Sequence, residues 1–109
     1  MISEENFIEM ALSFPGTEQK PHFDRVGFKL IGKRMFASYL AKNNTSNIFL
    51  SLDEQKAFCE LSPTYIFPVP NKWGEKGATT FELNHLPKEY VYEALLSAYS
   101  AVLNSKKSK

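Results

Sequence analysis

An α+β domain, with helices packed on an antiparallel sheet in the order α-β-β-β-α-β-β-α, is predicted by three features of the sequence. Two alternating apolar runs, Val26 to Ile31 and Met35 to Leu40, flank Gly32-Lys33 as the arms of a hairpin. A stripe of Tyr90, Val91, Ala94, Leu95, Ala98, Tyr99 and Val102 repeats at helical period near the end of the chain. The length of 109 residues, with 43% apolar and 14% aromatic content, suffices for one core without disulfide or metal staples, so residues 1–109 are read as one domain.

The elements follow in order. Ser3 is a helix cap, and Glu4 and Glu5 suit the positive end of the dipole. Phe7, Ile8, Ala11 and Leu12 supply that helix's apolar stripe, and Phe14-Pro15-Gly16 stops it. Residues 17–24 read as a loop. In the hairpin, a type II′ turn at Gly32-Lys33 pairs Ile31 with Arg34, Leu30 with Met35, Phe28 with Ala37 and Val26 with Tyr39. That register gives an apolar face for the core and places Lys29, Arg34 and Phe36 on the other face. Residues 48–52 read as a third strand. Ser51 to Glu54 has capping-box spacing and starts a helix over 53–61, with Ala57, Phe58 and Leu61 as its apolar members. Residues 65–67 and 78–83 read as strands, separated by a glycine-containing loop around Trp73. Pro87 opens the last helix, and residues 104–109 read as a basic, frayed tail.

Several function classes lack their signatures. No apolar run approaches the ~20 residues of a membrane span, and the acidic N-terminus has no secretion-signal pattern. Cys59 is the sole cysteine, which suits a reducing, cytoplasmic location. His22, Cys59 and His85 have no chelating spacing, so no metal or other cofactor is expected. Nothing basic adjoins Cys59 to activate its thiol, and Glu60 opposes ionisation. No serine lies in a Gly-x-Ser-x-Gly elbow, and the five glycines form no phosphate-binding loop. The chain is therefore read as non-enzymatic; a site built on His22 and His85 would require the two to converge.

Charge is more informative in its distribution than in its sum of +1. Residues 1–19 carry four Glu and no base, whereas residues 20–42 carry Lys20, Arg25, Lys29, Lys33, Arg34 and Lys42 against Asp24 alone. Such asymmetry builds a local positive surface within a neutral protein. Lys29, Lys33, Arg34 and Phe36 on the hairpin, with His22 and Arg25 on its approach, are candidate nucleic-acid contacts: cations for phosphates beside an apolar wedge. Lys72 and Trp73 form a second such element, although the general burial of Trp favours a core position for Trp73. A protein partner or a second copy of the chain could use the same sheet surface.

The pattern resembles the MmcQ/YjbR family. The resemblance rests on Ala11-Leu12-Ser13-Phe14-Pro15-Gly16-Thr17-Glu18, then Lys20-Pro21-His22-Phe23, and on Phe28 through Ala37 with its Gly32-Lys33 turn. It continues through Leu50-Ser51-Leu52, Pro68-Val69-Pro70, Trp73-Gly74 and the long C-terminal helix. The resemblance implies a YjbR-like α+β domain shaped like a secretion chaperone, cytosolic, and binding DNA through a double-wing arrangement. Two departures stand out: Ser51-Leu52-Asp53 where members often carry a Lys, and Trp73 preceding Gly74 where the family's aromatic loop usually reads Gly-Trp.

Overall fold

A computed structural model describes residues 1–105; of the expected frayed tail, residues 106–109 lie outside the described residues. The elements are α1 (Glu4–Leu12), β1 (Thr17–His22), β2 (Arg25–Leu30), β3 (Met35–Leu40), β4 (Thr45–Phe49), α2 (Leu52–Leu61), β5 (Ile66–Pro68), α3 (Lys72–Glu75), β6 (Ala78–Glu82), a 3₁₀ turn (Leu83–His85) and α4 (Lys88–Leu103). The strands form one six-stranded sheet in the order β1-β2-β3-β4-β6-β5, and every neighbouring pair is antiparallel.

The helix ends follow the sequence signals. Asn6 N–H donates to Ser3 Oγ at 3.1 Å. Ser51 and Glu54 complete a reciprocal capping box, which satisfies backbone donors that the first turn leaves free. Pro87 sits one residue before α4. The expected stripe on α4 is buried from Val91 to Val102, with Tyr90 half-buried.

The three longer helices, α1, α2 and α4, pack on one face of the sheet. Phe7 of α1 packs edge-on against Phe28 and stacks on Tyr39. Tyr99 of α4 contacts Phe36, and Phe58 of α2 contacts Phe81. Cross-strand partners share a face, so the pairs Phe28–Ala37, Tyr39–Ser46, Ile48–Thr79 and Ile66–Phe81 line the helical side. The alternate residues Arg25, Gly27, Ser38, Asn47, Phe49 and Ala78 face the other way.

The structure departs from the sequence reading in five places. Residues 17–22 are a strand, not a loop. β1 is an edge strand with polar residues on both faces, so it lacks apolar alternation, and its Pro21 is tolerated because the edge is unpaired. The third expected strand begins earlier, at Thr45, because buried Ser46 satisfies its hydroxyl on the Ser38 carbonyl at 2.8 Å. On α2, Ala57 and Leu61 are exposed, while buried Gln55 donates to the carbonyls of Gly74 at 2.9 Å and Ala78 at 3.2 Å. The loop around Trp73 contains a short helix capped by Asn71.

The most consequential departure is in the hairpin. Its base has the expected register, Val26 with Tyr39 and Phe28 with Ala37, but a bulge then pairs Lys29 with Met35. The turn spans Leu30 to Lys33, closed by Lys33 N–H donating to the Leu30 carbonyl at 2.9 Å. Gly32 at its third position takes φ +81°, as a type II turn requires. The extra residue reverses the faces beyond the bulge. Phe36 is fully buried against Phe14 and Tyr99, and half-buried Met35 joins the open face beside Gly27.

Lys33 is also redirected. Its Nζ donates to the carbonyls of Val102 at 3.3 Å, Leu103 at 2.7 Å and Ser105 at 2.9 Å. A cation at a helix C-terminus satisfies free carbonyls and suits the dipole. Lys33→Met is expected to lower stability by about 1–2 kcal/mol, measured by urea unfolding, without weakening any ligand bound on the open face.

Candidate functional site

On the sheet face opposite α1, the sheet floor and its margins, with α3 and Ala101 of α4 at the rim, line a groove of about 700 Å³. Met35, Ser38, Asn47, Phe49 and Ala78 contribute from β3, β4 and β6. Strand alternation puts the last four on the outward side, and the bulge puts Met35 there. His22 and Arg25 enter from the β1–β2 hairpin, and Arg34 from the β2–β3 turn. Asn71, Trp73 and Lys76 enter from the α3 corner.

The electrostatics of the groove are one-sided. Arg25, Arg34 and Lys76 line it with His22, and no carboxylate is among the lining side chains. Arg25 Nε donates to Ser38 Oγ at 2.9 Å. Burial lowers the pKa of the Arg25 guanidinium, opposed by the negative charge of Asp24; an arginine nevertheless remains charged at neutral pH.

Trp73 is 64% exposed, which corrects the core position favoured by its general burial tendency. The reason is local. Asn71 caps α3 through its side chain, and buried Gly74, rather than Trp73, makes the close approach to the Val69 backbone. The indole therefore stands at the groove margin, with Lys76 Nζ 5.5 Å from its ring centroid. That geometry allows a cation–π contact while leaving ring surface accessible. Phe23 is 93% exposed at the tip of the β1–β2 hairpin and lies edge-on to His22.

The structure thus gathers His22, Arg25, Arg34 and Trp73 from the expected residues. Lys29 lies on the open face beside Glu18 and Met35 in register, but it does not line the groove. Exposed Lys72 is adjacent to it, and Lys76 takes the lining position instead. Phe36 and Lys33 are removed from the set, the first by burial in the core and the second by its bonds to the end of α4. Ser38 and Asn47 add hydrogen-bonding groups that the sequence signals only as polar residues alternating with apolar ones.

His85 stacks on Tyr65 at 4.4 Å and does not line the groove with His22. Burial pushes the Cys59 thiol pKa up, away from a reactive thiolate. Among the described residues no three His, Cys, Asp or Glu side chains gather as metal ligands, and no helix is long and apolar enough to cross a membrane.

The crystal structure of the Deinococcus radiodurans protein DR2400, described as a DUF419 family-model domain, matches this chain with a TM-score of 0.83. The match covers 100% of this chain and 84% of that one, at 19% sequence identity. The fold is that of a DUF419 domain. At this identity the likeness concerns the arrangement of the sheet and helices, and the groove stands on its own residues. No family model and no curated protein matches the sequence.

Proposed function

We propose that the chain is an MmcQ/YjbR-like domain that binds DNA in the cytoplasm, without catalysis, through the groove on its open sheet face. The DUF419 neighbour is itself MmcQ/YjbR-like, which agrees with the family resemblance of the sequence. The observation that carries the reading is the convergence of Arg25, Arg34 and Lys76 with exposed Trp73 in a groove without carboxylates. The cations take phosphates and Trp73 offers an apolar or stacking surface. Three elements bear these groups: the β1–β2 hairpin with Arg25, the β2–β3 hairpin with Arg34, and the α3 corner with Trp73 and Lys76.

Trp73 is the sole tryptophan, so its fluorescence reports on this corner directly. Titration with a short duplex should perturb that fluorescence and the amide signals of Arg34, Ser38, Asn47 and Lys76. With three phosphate contacts, affinity should fall about 40-fold between 50 and 200 mM salt. Arg34→Glu with Lys76→Glu should abolish binding while the amide spectrum remains folded. Retained affinity and an unchanged salt slope in that double variant would overturn the assignment. A protein-interaction reading has one observation of its own, Leu52 and Leu61 exposed on α2. A stable dimer by size exclusion, with amide shifts on α2, would favour it.

A further inference from the structure

The groove differs from a flat basic patch in two respects, its depth and the state of Arg25. A volume of about 700 Å³ lies within the range of small-ligand sites. A duplex laid across the sheet touches the rims of such a groove, whereas its floor can be filled only by a unit that enters it. The floor and wall include apolar Met35, Phe49 and Val69, with Ser38 and Asn47 between cationic margins.

Arg25 is half-buried and anchored through Nε to Ser38. Its Nη2 is shut off from solvent and has no hydrogen-bond partner among the described residues. The guanidinium has lost part of its hydration and gained only the Ser38 bond, so negative charge at its groove-facing side is worth more to it than to a hydrated surface arginine. With Nε on Ser38 and Nη2 shut off, the groove meets this guanidinium as an anchored cation whose position the Ser38 bond fixes. Arg34 and His22 line the same groove, so further donors are available to an oxyanion. At the opposite margin the exposed Trp73 ring offers a stacking surface.

We infer that the groove is a subsite for one nucleoside monophosphate unit, its phosphate held at Arg25 and its base lying along the apolar floor toward Trp73. The inference rests on reading this face as a nucleic-acid surface and specifies what enters it. The same unit is available as a free nucleotide or as the 5′-phosphorylated terminal residue of a single strand.

The test titrates the full chain with four probes, following Trp73 fluorescence and amide shifts. They are a nucleoside 5′-monophosphate, the matching nucleoside, and a short single strand with either a 5′-phosphate or a 5′-hydroxyl. The monophosphate should bind about tenfold or more tightly than the nucleoside, with shifts at Arg25, Ser38, Asn47 and Trp73. Arg25→Met should erase that preference, and Arg25→Lys, which keeps the charge but loses the Ser38 anchor, should restore only part of it. A matching preference for the 5′-phosphorylated strand identifies a strand end as the source. Equal binding of the two strands with retained monophosphate preference identifies the free nucleotide. Equal affinity for monophosphate and nucleoside, or a preference that persists in folded Arg25→Met, overturns the subsite. Monophosphate binding without duplex binding would remove the broader DNA reading while leaving the subsite in place. Salt-sensitive duplex binding without monophosphate binding would do the reverse.

Discussion

Gly74→Ala and Gly77→Ala should each destabilise the domain by about 3 kcal/mol or more, as measured by urea unfolding at constant m-value. A Cβ built at Gly74 would lie 1.7 Å from the Val69 carbonyl oxygen and 2.8 Å from its carbon. At Gly77 it would lie 1.8 Å from the Leu50 carbonyl oxygen, and φ there is +112°. In both cases the obstacle is backbone, so no side-chain rotation relieves it. Both glycines are also fastened. The Gly74 carbonyl accepts from Gln55 Nε2, and the Gly77 carbonyl accepts from Leu50 N–H at 3.0 Å and Thr79 Oγ1 at 2.9 Å. Displacing either segment breaks these bonds inside a buried region, where unmet polar groups are costly. Gly32→Ala is the internal control. Its Cβ would meet nothing within 4 Å, leaving only the left-handed backbone penalty of about 1–2 kcal/mol.

These glycines connect stability to the proposed activity because they lie in the corner that bears Trp73 and Lys76. If the fold survives Gly74→Ala by moving α3 outward, Trp73 fluorescence should change before any ligand is added, and duplex affinity should fall with it. If α3 stays in place and the loss is purely global, the emission spectrum of the folded fraction should be unchanged. The two outcomes separate a corner that adjusts from one fixed by its neighbours.

Features that bury an apolar pattern against another element were legible in the sequence. The α4 stripe, the Ser3 cap, the Ser51–Glu54 capping box and the hairpin register from Val26 to Phe28 each follow from residues close in sequence or from a strict period. What lies on the open face was harder to read, because nothing packs there to impose a period. β1 is an example: Thr17-Glu18-Gln19-Lys20-Pro21-His22 has the composition of a loop, yet its backbone pairs fully with β2. The basic segment signalled a positive surface, but it could not show that Lys33 turns back to the end of α4, some seventy residues away in the chain. Likewise, the placing of Arg34 and Lys76 along one groove depends on the strand order β3-β4-β6, a long-range pairing that alternation within each strand does not encode. Candidate chemistry was therefore readable as residue types, and the groove only as topology.

The bulge in the hairpin supplies the sharpest test of that topology. A regular ladder would put Met35 in the core and Phe36 in solvent; the bulged one does the opposite. Phe36→Ala should then cost about 3–5 kcal/mol, because it empties the space between Phe14 and Tyr99. Met35→Ala, on the half-exposed floor of the groove, should cost less than about 1.5 kcal/mol but alter binding on the open face. Urea unfolding of the two variants reads the register directly. Comparable or reversed losses would mean that the ladder runs regularly to the turn, which would remove Met35 from the groove floor and return Phe36 to the surface as a wedge. The expected order of losses instead ties the single extra residue to function. By turning Phe36 inward the bulge completes the core beneath α4, and by turning Met35 outward it furnishes the apolar floor beside Arg25 and Arg34.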